Sequence, residues 1–291
     1  MGKVYLIGAG PGDPDLLTVK AARLLERATI VLHDSLVSRE VLALIPRTAE
    51  IIDVGKRAGK KLLTQDEINQ LLIFLGSGRS FDRSADKSSD RSPNVHPPSK
   101  ATSHNEVIRL KGGDPVVFGR AGEEIEALRR AKIPFEIVPG ITAALGAAAA
   151  AGISLTDRRT ASQIVITTYS RGSDPANADP FAVTPHLDWA AISSSTTLVL
   201  YMPGADYPEV SRRLIEAGQP ESLPCVVVSN ATTPQQKIRW TTVSGLASEA
   251  KLPAPALLIV GHVATHEIQE IAASAWPANR KENQVKRAIV S

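Results

Sequence analysis

Short apolar runs alternate along the chain with longer stretches in which apolar residues recur every three or four positions. The short runs, rich in valine, isoleucine and leucine, predict buried β-strands, and the longer stretches predict amphipathic helices. The first half contains predicted strands at residues 4–7, 29–33, 50–54, 107–110 and 135–138. The second half contains predicted strands at residues 163–167, 197–201, 225–229, 238–242 and 256–260. This alternation predicts an α/β fold built as two α/β domains.

Helix signals lie between these predicted strands. Thr64, followed three residues later by Glu67, predicts a capping box at the start of a helix. Thr18 precedes a second apolar stripe, and residues 142–152 form a third candidate helix made almost entirely of small side chains. Because such a helix permits close approach of a backbone or a ligand, we place the joint between the domains at its start, near Pro139.

The two domains are expected over residues 1–139 and 140–271. Residues 77–105 interrupt the first domain with an imperfect four-residue repeat rich in Ser, Asp, Arg and Lys. Residues 272–291 are also polar. Because such segments lack the apolar side chains that form a core, we predict a disordered surface insertion and a loose tail.

Composition narrows the class of partner. Of the 291 residues, 43% are hydrophobic and 22% are charged, as in ordinary globular proteins. The net charge of +3 suits an anionic small molecule, while an aromatic content of 4% is unfavourable for stacking on nucleic-acid bases. The apolar runs fall far short of the roughly 20 residues that span a bilayer, and the chain begins directly on a strand pattern. We therefore expect a cytoplasmic protein with neither membrane nor nucleic-acid partners.

Cysteine and histidine offer little chemistry. The single cysteine, Cys225, lies in an apolar run, so a buried strand residue is favoured over a reactive thiol. One cysteine cannot form an internal disulfide, which is in keeping with a reducing compartment. His262 and His266 are four residues apart with no third ligand near them in the sequence, so no metal site is expected.

A glycine-rich turn follows the first predicted strand. It has the sequence Gly8-Ala-Gly-Pro-Gly-Asp-Pro14, and glycine lets a backbone approach a ligand without a side chain between them. The spacing departs from that of dinucleotide-binding loops, and Pro11 lacks an amide that would hold a phosphate. A nicotinamide-dependent dehydrogenase is therefore a weak alternative. On this motif alone, a simple tight turn and a ligand-binding turn both remain open.

A second glycine-rich turn follows the predicted strand at residues 107–110. It has the sequence Arg109-Leu-Lys-Gly-Gly-Asp-Pro-Val-Val-Phe-Gly-Arg120, with three cations and one carboxylate around the glycines. Open α/β sheets bind ligands where turns meet beyond the carboxyl ends of their strands. The two turns together predict a ligand site, and a solvated charged loop is the less favoured alternative.

Both turns resemble signature sequences of the tetrapyrrole (precorrin) methylases. So do the segments Val138-Pro-Gly-Ile-Thr-Ala143 and Ala151-Gly-Ile-Ser-Leu-Thr-Asp-Arg158. Two further segments, Leu200-Tyr-Met-Pro203 and Asn230-Ala-Thr-Thr-Pro-Gln235, are similar to the branch of that family that methylates uroporphyrinogen III. Because several motifs occur in the same order between Val4 and His262, the resemblance is specific.

The resemblance implies a fold and a reaction. The implied fold has two α/β domains with S-adenosylmethionine in the cleft between them, usually as a homodimer. The implied reaction transfers methyl groups to two pyrrole carbons of uroporphyrinogen III, giving precorrin-2 through precorrin-1 for sirohaem or cobalamin synthesis. It needs no metal, since the displacement depends on holding donor and acceptor in line, and it releases S-adenosylhomocysteine. The alternatives are methylation of a later precorrin intermediate and binding of S-adenosylmethionine without catalysis.

The resemblance also implies site residues by matching positions. The implied cofactor contacts are Pro11, Gly112, Gly113, Asp114, Val117, Thr142, Ala143, Met202 and Ala231. The implied proton acceptor is Asp34, for which a turn cap would otherwise be the preferred interpretation, and the implied proton donor is Lys56. Because the tetrapyrrole carries many carboxylates, cations near these motifs are expected to bind it. The expected substrate contacts are Arg57, Arg109, Lys111 and Arg120.

Overall fold

A computed structural model describes residues 2–57, 60–61, 63–78, 106–169, 188–193, 195–204 and 206–265. It divides into two compact units, Met1–Thr142 and Ala143–Ser291, which we call unit 1 and unit 2. Apart from Ser77 and Gly78, the insertion predicted to be disordered lies outside the described residues, as does the tail at 272–291. In the described part of the chain, no helix is both long enough and apolar enough to cross a membrane.

Unit 1 is built on a parallel sheet. Its strands are β1 (Lys3–Gly8), β2 (Ile30–His33), β3 (Glu50–Asp53), β4 (Lys56–Arg57), β5 (Lys60–Lys61), β6 (Glu106–Lys111) and β7 (Phe135–Val138). The sheet has the order β3-β2-β6-β1-β7, and β4 pairs with β5 in a separate antiparallel hairpin. The five long strands confirm the predicted ones, each bound within one residue, because a parallel sheet covered on both faces produces continuous apolar runs.

Helices cover both faces of this sheet. They are α1 (Val19–Glu26), α2 (Arg39–Leu42), α3 (Gln65–Gly76) and α4 (Ala121–Arg130). Alternate strand residues point to opposite faces. On one face Ile7 and Ile108 pack against α1, and on the other Leu6 and Val107 pack against α3 and Leu128 of α4. The centre of the sheet is therefore buried on both sides.

Unit 2 contains a mixed sheet. Its strands are β8 (Gln163–Thr168), β9 (Thr196–Tyr201), β10 (Pro224–Ser229), β11 (Lys237–Thr242) and β12 (Ala256–Val260), in the order β11-β10-β12-β9-β8. Its helices are α5 (Ala143–Ala150) and α6 (Tyr207–Glu216). The predicted strands are again confirmed within one residue. Cys225 is buried on β10 as predicted, and burial raises the pKa of its thiol.

The predicted capping box at the start of α3 is present. The Thr64 hydroxyl accepts the Glu67 amide at 3.2 Å, and the Glu67 carboxylate accepts the Thr64 amide at 2.6 Å. Both contacts satisfy amides that have no partner within the helix. The cap thereby fixes where the chain turns into the helix that covers one face of unit 1.

We expect Thr64→Ala to lower the free energy of unfolding by about 1 kcal/mol, because it leaves the Glu67 amide without its cap. Thr64→Ser keeps the hydroxyl and is the matched control. Urea denaturation of the two variants and the wild type measures the difference. Equal stability of the alanine and serine variants would show that the cap contributes nothing.

Candidate functional site

Three segments of unit 1 cross at the carboxyl edge of its sheet, at Gly8, Gly113 and Gly140. A Cβ atom on Gly8 would lie 2.6 Å from the Gly140 Cα and 2.7 Å from the Gly113 carbonyl oxygen. A Cβ atom on Gly140 would lie 2.8 Å from the Gly8 Cα. These separations are shorter than van der Waals contact, so a side chain at either position would push the segments apart. The crossing therefore requires glycine.

The two predicted glycine-rich turns are joined by their backbones. The Gly10 amide donates to the Gly113 carbonyl at 3.1 Å, and the Gly113 amide donates to the Gly10 carbonyl at 2.7 Å. Both residues have left-handed backbone angles, with φ of +73° and +69°. The turns after β1 and β6 thus form one unit, which brings Pro11, Gly112 and Gly113 to the same edge of the sheet, as predicted for open α/β sheets.

Asp114 binds a third turn, the one that follows β7, to the two glycine-rich turns. Its carboxylate accepts the Val116 amide at 2.9 Å through Oδ1 and the Gly140 amide at 3.0 Å through Oδ2. The side chain is buried. Both oxygens therefore bind backbone of unit 1, and this predicted cofactor residue ties the turn that follows β7 to the turn that follows β6.

Four ionisable side chains of unit 1 form what we call the buried charge network: Asp34, Arg109, Lys111 and Glu124. Glu124 Oε1 accepts Arg109 Nε at 3.0 Å and Lys111 Nζ at 2.8 Å. The Arg109 Nη2 donates to Asp34 Oδ1 at 2.5 Å. Asp34 is the member that reaches the surface, with 28% of its side chain exposed against 2% or less for the other three.

Burial and charge act in opposite directions on the two cations of this network. Burial opposes the charge on Arg109, but Glu124 and Asp34 outweigh it and raise the pKa of the guanidinium. Burial and the neighbouring Arg109 lower the pKa of Lys111 despite its contact with Glu124. The network therefore holds its arginine firmly charged, and its lysine gives up a proton more readily than a lysine in water.

This placement revises the prediction that Arg109 and Lys111 bind substrate. On β6 they lie two residues apart and point to the same face of the sheet as Val107, where α3 and α4 cover them. Their donors are directed at internal carboxylates. Because they are buried and paired, they are unsuited to direct contact with an external carboxylate. Arg109 instead contacts Asp34 directly, and Lys111 is linked to Arg109 through Glu124.

Asp34 follows β2, where its amide donates to the Leu110 carbonyl at 3.1 Å and its carbonyl accepts the Val37 amide at 3.2 Å. The Nδ1 atom of His33 lies 3.0 Å from the carbonyl oxygen of Asp34. The backbone of Asp34 thus forms a turn, in keeping with the alternative interpretation of Asp34 as a turn cap. Its carboxylate, however, is held by Arg109 and not by the turn, so the side chain is available for chemistry at the edge of the sheet.

The structure describes the other predicted cations, Arg120, Lys56 and Arg57, in less detail. Arg120 is exposed at the start of α4, has a left-handed backbone, and donates to Glu123 at 2.8 Å. Lys56 and Arg57 lie on β4, with Lys56 opposite Lys61 and Arg57 opposite Lys60. The side chains of Lys56 and Arg57 lie outside what the structure describes, so their predicted roles stay predictions.

Glu124 is a site residue that sequence reasoning missed. It lies on the buried stripe of α4 between Ala121 and Leu128, at the helical spacing of core residues. A carboxylate at such a position needs a charged partner, because an unpaired buried charge is strongly unfavourable. A glutamate on the apolar stripe of a predicted helix was therefore the signal that the sequence offered. It indicated that Glu124 pairs with buried cations, such as those of the preceding strand.

Two of the three predicted cofactor residues of unit 2 lie on loops after its strands where the backbone is strained. Met202 directly follows β9 with φ of +50° and has 46% of its surface exposed. Ala231 follows β10 between Asn230 and Thr232, whose φ values are +47° and +63°. Left-handed backbone in residues other than glycine costs about 1–3 kcal/mol and concentrates at functional sites. Ala143 begins α5, and the next amide, that of Ala144, donates to the Tyr201 hydroxyl at 2.9 Å.

Apolar side chains lie exposed beside the turns of unit 1. Three large hydrophobic residues are exposed there. They are Leu36, two residues after Asp34, and Val116 and Phe118 on either side of Val117. A ligand pocket typically combines such apolar surface with a few placed polar groups. This edge of unit 1 thus offers glycine backbone, apolar surface and the partly exposed carboxylate of Asp34, which together can hold an organic ligand and accept a proton from it.

The chain is similar to known proteins over most of its length. Residues 3–247 match the family model of the tetrapyrrole (corrin/porphyrin) methylases. A uroporphyrinogen-III C-methyltransferase of Paracoccus denitrificans is 45% identical over 268 residues, which is 91% of this chain and 82% of that protein. A siroheme synthase of Methylobacillus flagellatus is 42% identical over 90% of this chain, but the chain spans only 50% of that protein's length.

A solved structure agrees with these matches. The uroporphyrin-III C-methyl transferase of Thermus thermophilus, complexed with S-adenyl homocysteine, is similar with a TM-score of 0.67 and 34% identity. The alignment covers 90% of this chain and 98% of that one. Both α/β units are therefore features shared with that enzyme.

The glycine crossing leads to a stability prediction. Gly8→Ala is expected to destabilise the protein by about 3 kcal/mol, because the new methyl group meets backbone atoms that cannot rotate away. Gly122→Ala is the matched control, since a Cβ there meets nothing within 4 Å and the residue lies in α4, so the same change should be neutral or slightly stabilising. Chemical denaturation of both variants measures this, and similar stabilities would contradict the crossing.

Proposed function

The chain belongs to the tetrapyrrole (corrin/porphyrin) methylase family, and from this premise we propose that it methylates carbons of uroporphyrinogen III with S-adenosylmethionine as donor. The product would be precorrin-2, formed through precorrin-1 and used for sirohaem or cobalamin. The observation that carries the proposal is the meeting of two joined glycine-rich turns with the partly exposed carboxylate of Asp34 at one edge of a sheet.

The residues present fit the methyl donor. Gly10 and Gly113 present backbone without side chains, and exposed apolar groups lie beside them, as an adenosine-bearing ligand requires. We propose that the contacts in unit 1 come from Pro11, Gly112, Gly113, Asp114, Val117 and Thr142. The contacts at Ala143, Met202 and Ala231, which the resemblance implies in unit 2, stay predictions. When bound, the donor supplies a methyl group on a sulfonium for an in-line displacement. The rigid glycine turns serve this chemistry by fixing the position of the ligand.

Asp34 is the proposed base. Transfer of a methyl group to a fully substituted pyrrole carbon leaves a cationic ring, which is neutralised when another position of the macrocycle loses a proton. A carboxylate at the edge of the sheet can take that proton. Arg109 holds Oδ1 of Asp34, and the side chain is 28% exposed, so we propose that the other oxygen, Oδ2, accepts the proton. The geometry thus supports a carboxylate with a fixed direction in place of a freely rotating surface acid.

The remaining roles concern the polyanionic substrate. We propose that Lys56 donates a proton and that Arg57 and Arg120 bind substrate carboxylates, for which the forked guanidinium is well suited. Lys60 and Lys61 lie opposite Arg57 and Lys56 on the β4–β5 hairpin, so four cations of the sequence are collected there. This concentration of positive charge supports the hairpin as a site for an anionic ligand.

We further propose that the protein acts as a homodimer on this small-molecule substrate. Since the chain spans half of the siroheme synthase that it matches, the activity proposed here is the methylation alone. Molar mass in solution, measured by light scattering, tests the dimer.

The function itself is tested by anaerobic incubation with uroporphyrinogen III and S-adenosylmethionine, followed by mass measurement of the oxidised product. We expect a product heavier by two CH2 units, because each added methyl group is accompanied by the loss of one proton. S-adenosylhomocysteine, unlike NAD, should raise the melting temperature. No mass change on uroporphyrinogen III would contradict the proposal. A mass change on a later precorrin only would transfer it to that substrate, and binding without any transfer would favour a non-catalytic homologue.

Asp34→Asn is expected to keep the affinity for S-adenosylhomocysteine and to lower turnover by about 10²–10⁴-fold, because the amide preserves the shape of the side chain but not its basicity. Asp66→Asn, an exposed position on α3, is the control and should leave turnover unchanged. Calorimetry measures the affinity and product formation measures the turnover. Wild-type turnover in Asp34→Asn would show that the proton leaves by another route.

A further inference from the structure

The buried charge network contains a carboxylate to which the proposed reaction assigns no role. Glu124 is fully buried on α4 and accepts hydrogen bonds from both buried cations of β6 through the same oxygen, Oε1. Its other oxygen, Oε2, is also buried and has no hydrogen-bond partner among the described residues. One carboxylate oxygen therefore serves as the internal counterion of Arg109 and Lys111.

Glu124 and Asp34 bind the same guanidinium at different nitrogens. Glu124 Oε1 accepts from Nε, and Asp34 Oδ1 accepts from Nη2. A guanidinium is planar and its donors point in fixed directions, so a contact at Nε determines where Nη2 is directed. The Nη1 atom donates to the Leu110 carbonyl at 3.3 Å, which fixes the plane further. Arg109 thus transmits the position of Glu124 to the Asp34 carboxylate.

The charges of the network sum to zero with two cations and two carboxylates. Three members are buried, so water screens their mutual interactions weakly. A change of charge at Glu124 or Lys111 must therefore act on Asp34, which is the member that exchanges protons with the site. Among the described side chains, the titratable groups around Asp34 are His33 on β2, Asp53 opposite His33 on β3, Arg109 and Lys111 on β6, and Glu124 on α4.

We propose that Glu124 and Lys111 are positioning residues, which fix the direction and the basicity of the Asp34 carboxylate through Arg109. This inference rests on the proposed function, in which Asp34 accepts the proton. Neither residue contacts the substrate: Glu124 orients the guanidinium, and Lys111 balances the carboxylate charge that Arg109 alone leaves in excess.

Stability alone does not account for such a network. Buried ion pairs cost desolvation, and apolar residues of similar volume often stabilise a core as well or better. The network lies under the carboxyl end of β6 and ends at Asp34, which is where its charges can influence a reaction. A positioning role explains both its cost and its place.

Two single variants should shift the pH dependence in opposite directions. In Glu124→Gln the amide oxygen can occupy the Oε1 position and the amide nitrogen the Oε2 position, where the described residues offer no competing donor. The network then carries one excess positive charge, which favours ionised Asp34, so the acid midpoint of kcat/KM should fall by about one pH unit. The plateau should also fall, by no more than about tenfold, because a carboxylate one unit less basic is a weaker general base.

Lys111→Met removes a positive charge in a side chain of similar length. Asp34 then lies beside one excess negative charge, and the acid midpoint should rise by about one pH unit. The double variant Glu124→Gln/Lys111→Met restores a neutral network and should return the midpoint towards that of the wild type. If Glu124→Gln does not fold, Lys111→Met and the neutral double variant still test the direction of the shift.

Glu126→Gln is the matched control, since it makes the same substitution on the same helix at an exposed residue paired with exposed Arg130. Its profile should match that of the wild type. The titration of Asp34 is followed independently of turnover by carboxyl carbon NMR, with the resonance assigned by its loss in Asp34→Asn. This readout separates the two proposals, because it reports on Asp34 whether or not the wild type methylates uroporphyrinogen III.

Opposite shifts of the Asp34 titration in the two single variants, and recovery in the double variant, support the inference. Shifts in the same direction, or a Glu124→Gln titration that matches that of Glu126→Gln, overturn it while leaving the proposed methylation intact. A wild type that forms no methylated product overturns the proposed function and the role of Asp34 in it. In that case, opposite NMR shifts in the two single variants would still show that Glu124 and Lys111 act on the Asp34 carboxylate, but not that they act on methylation.

Discussion

The arrangement of unit 1 depends on the burial of one guanidinium. Arg109 lies in the central strand β6, where water cannot solvate its charge, so the fold must supply carboxylates at the correct distance. Glu124 meets this need from α4, and Asp34 meets it from the end of β2. A helix and a neighbouring strand are thereby tied to the same group, and the side chain proposed as the base takes its direction from the interaction that satisfies a buried charge.

A steric constraint acts at the same edge of the sheet. Gly8, Gly113 and Gly140 approach so closely that no side chain fits between them, and Asp114 binds the amide of Gly140 to complete the crossing. Three turns that follow different strands therefore hold one relative position. Ligand positioning of the kind that a displacement reaction needs follows from this crossing, since the backbone there has little freedom to move.

Much of this architecture could be predicted from the sequence, and the exceptions have a common cause. Strand limits were predictable because buried strands produce unbroken apolar runs, and the capping box at Thr64 was predictable because both partners lie within one turn. Arg109 was predicted within a strand and Lys111 in the turn after it, whereas both lie on β6 and both are buried. A sequence shows that a residue is charged without showing which face of a covered sheet it points to, and Glu124, the partner that decides the matter, comes from another element.

The same limit explains why a buried network and a surface cluster look alike in a sequence. Arg109, Lys111 and Arg120 all lie in one motif, yet two are enclosed and one is exposed beside Glu123. Enclosure changes their chemistry, because a buried cation interacts strongly with a carboxylate while an exposed one is screened by water and salt. The exposed cations are therefore suited to attract a polyanionic substrate, and the enclosed ones to tune a single carboxylate. One motif can carry both tasks because β6 places its residues under α4 and the turn that follows returns the chain to the surface.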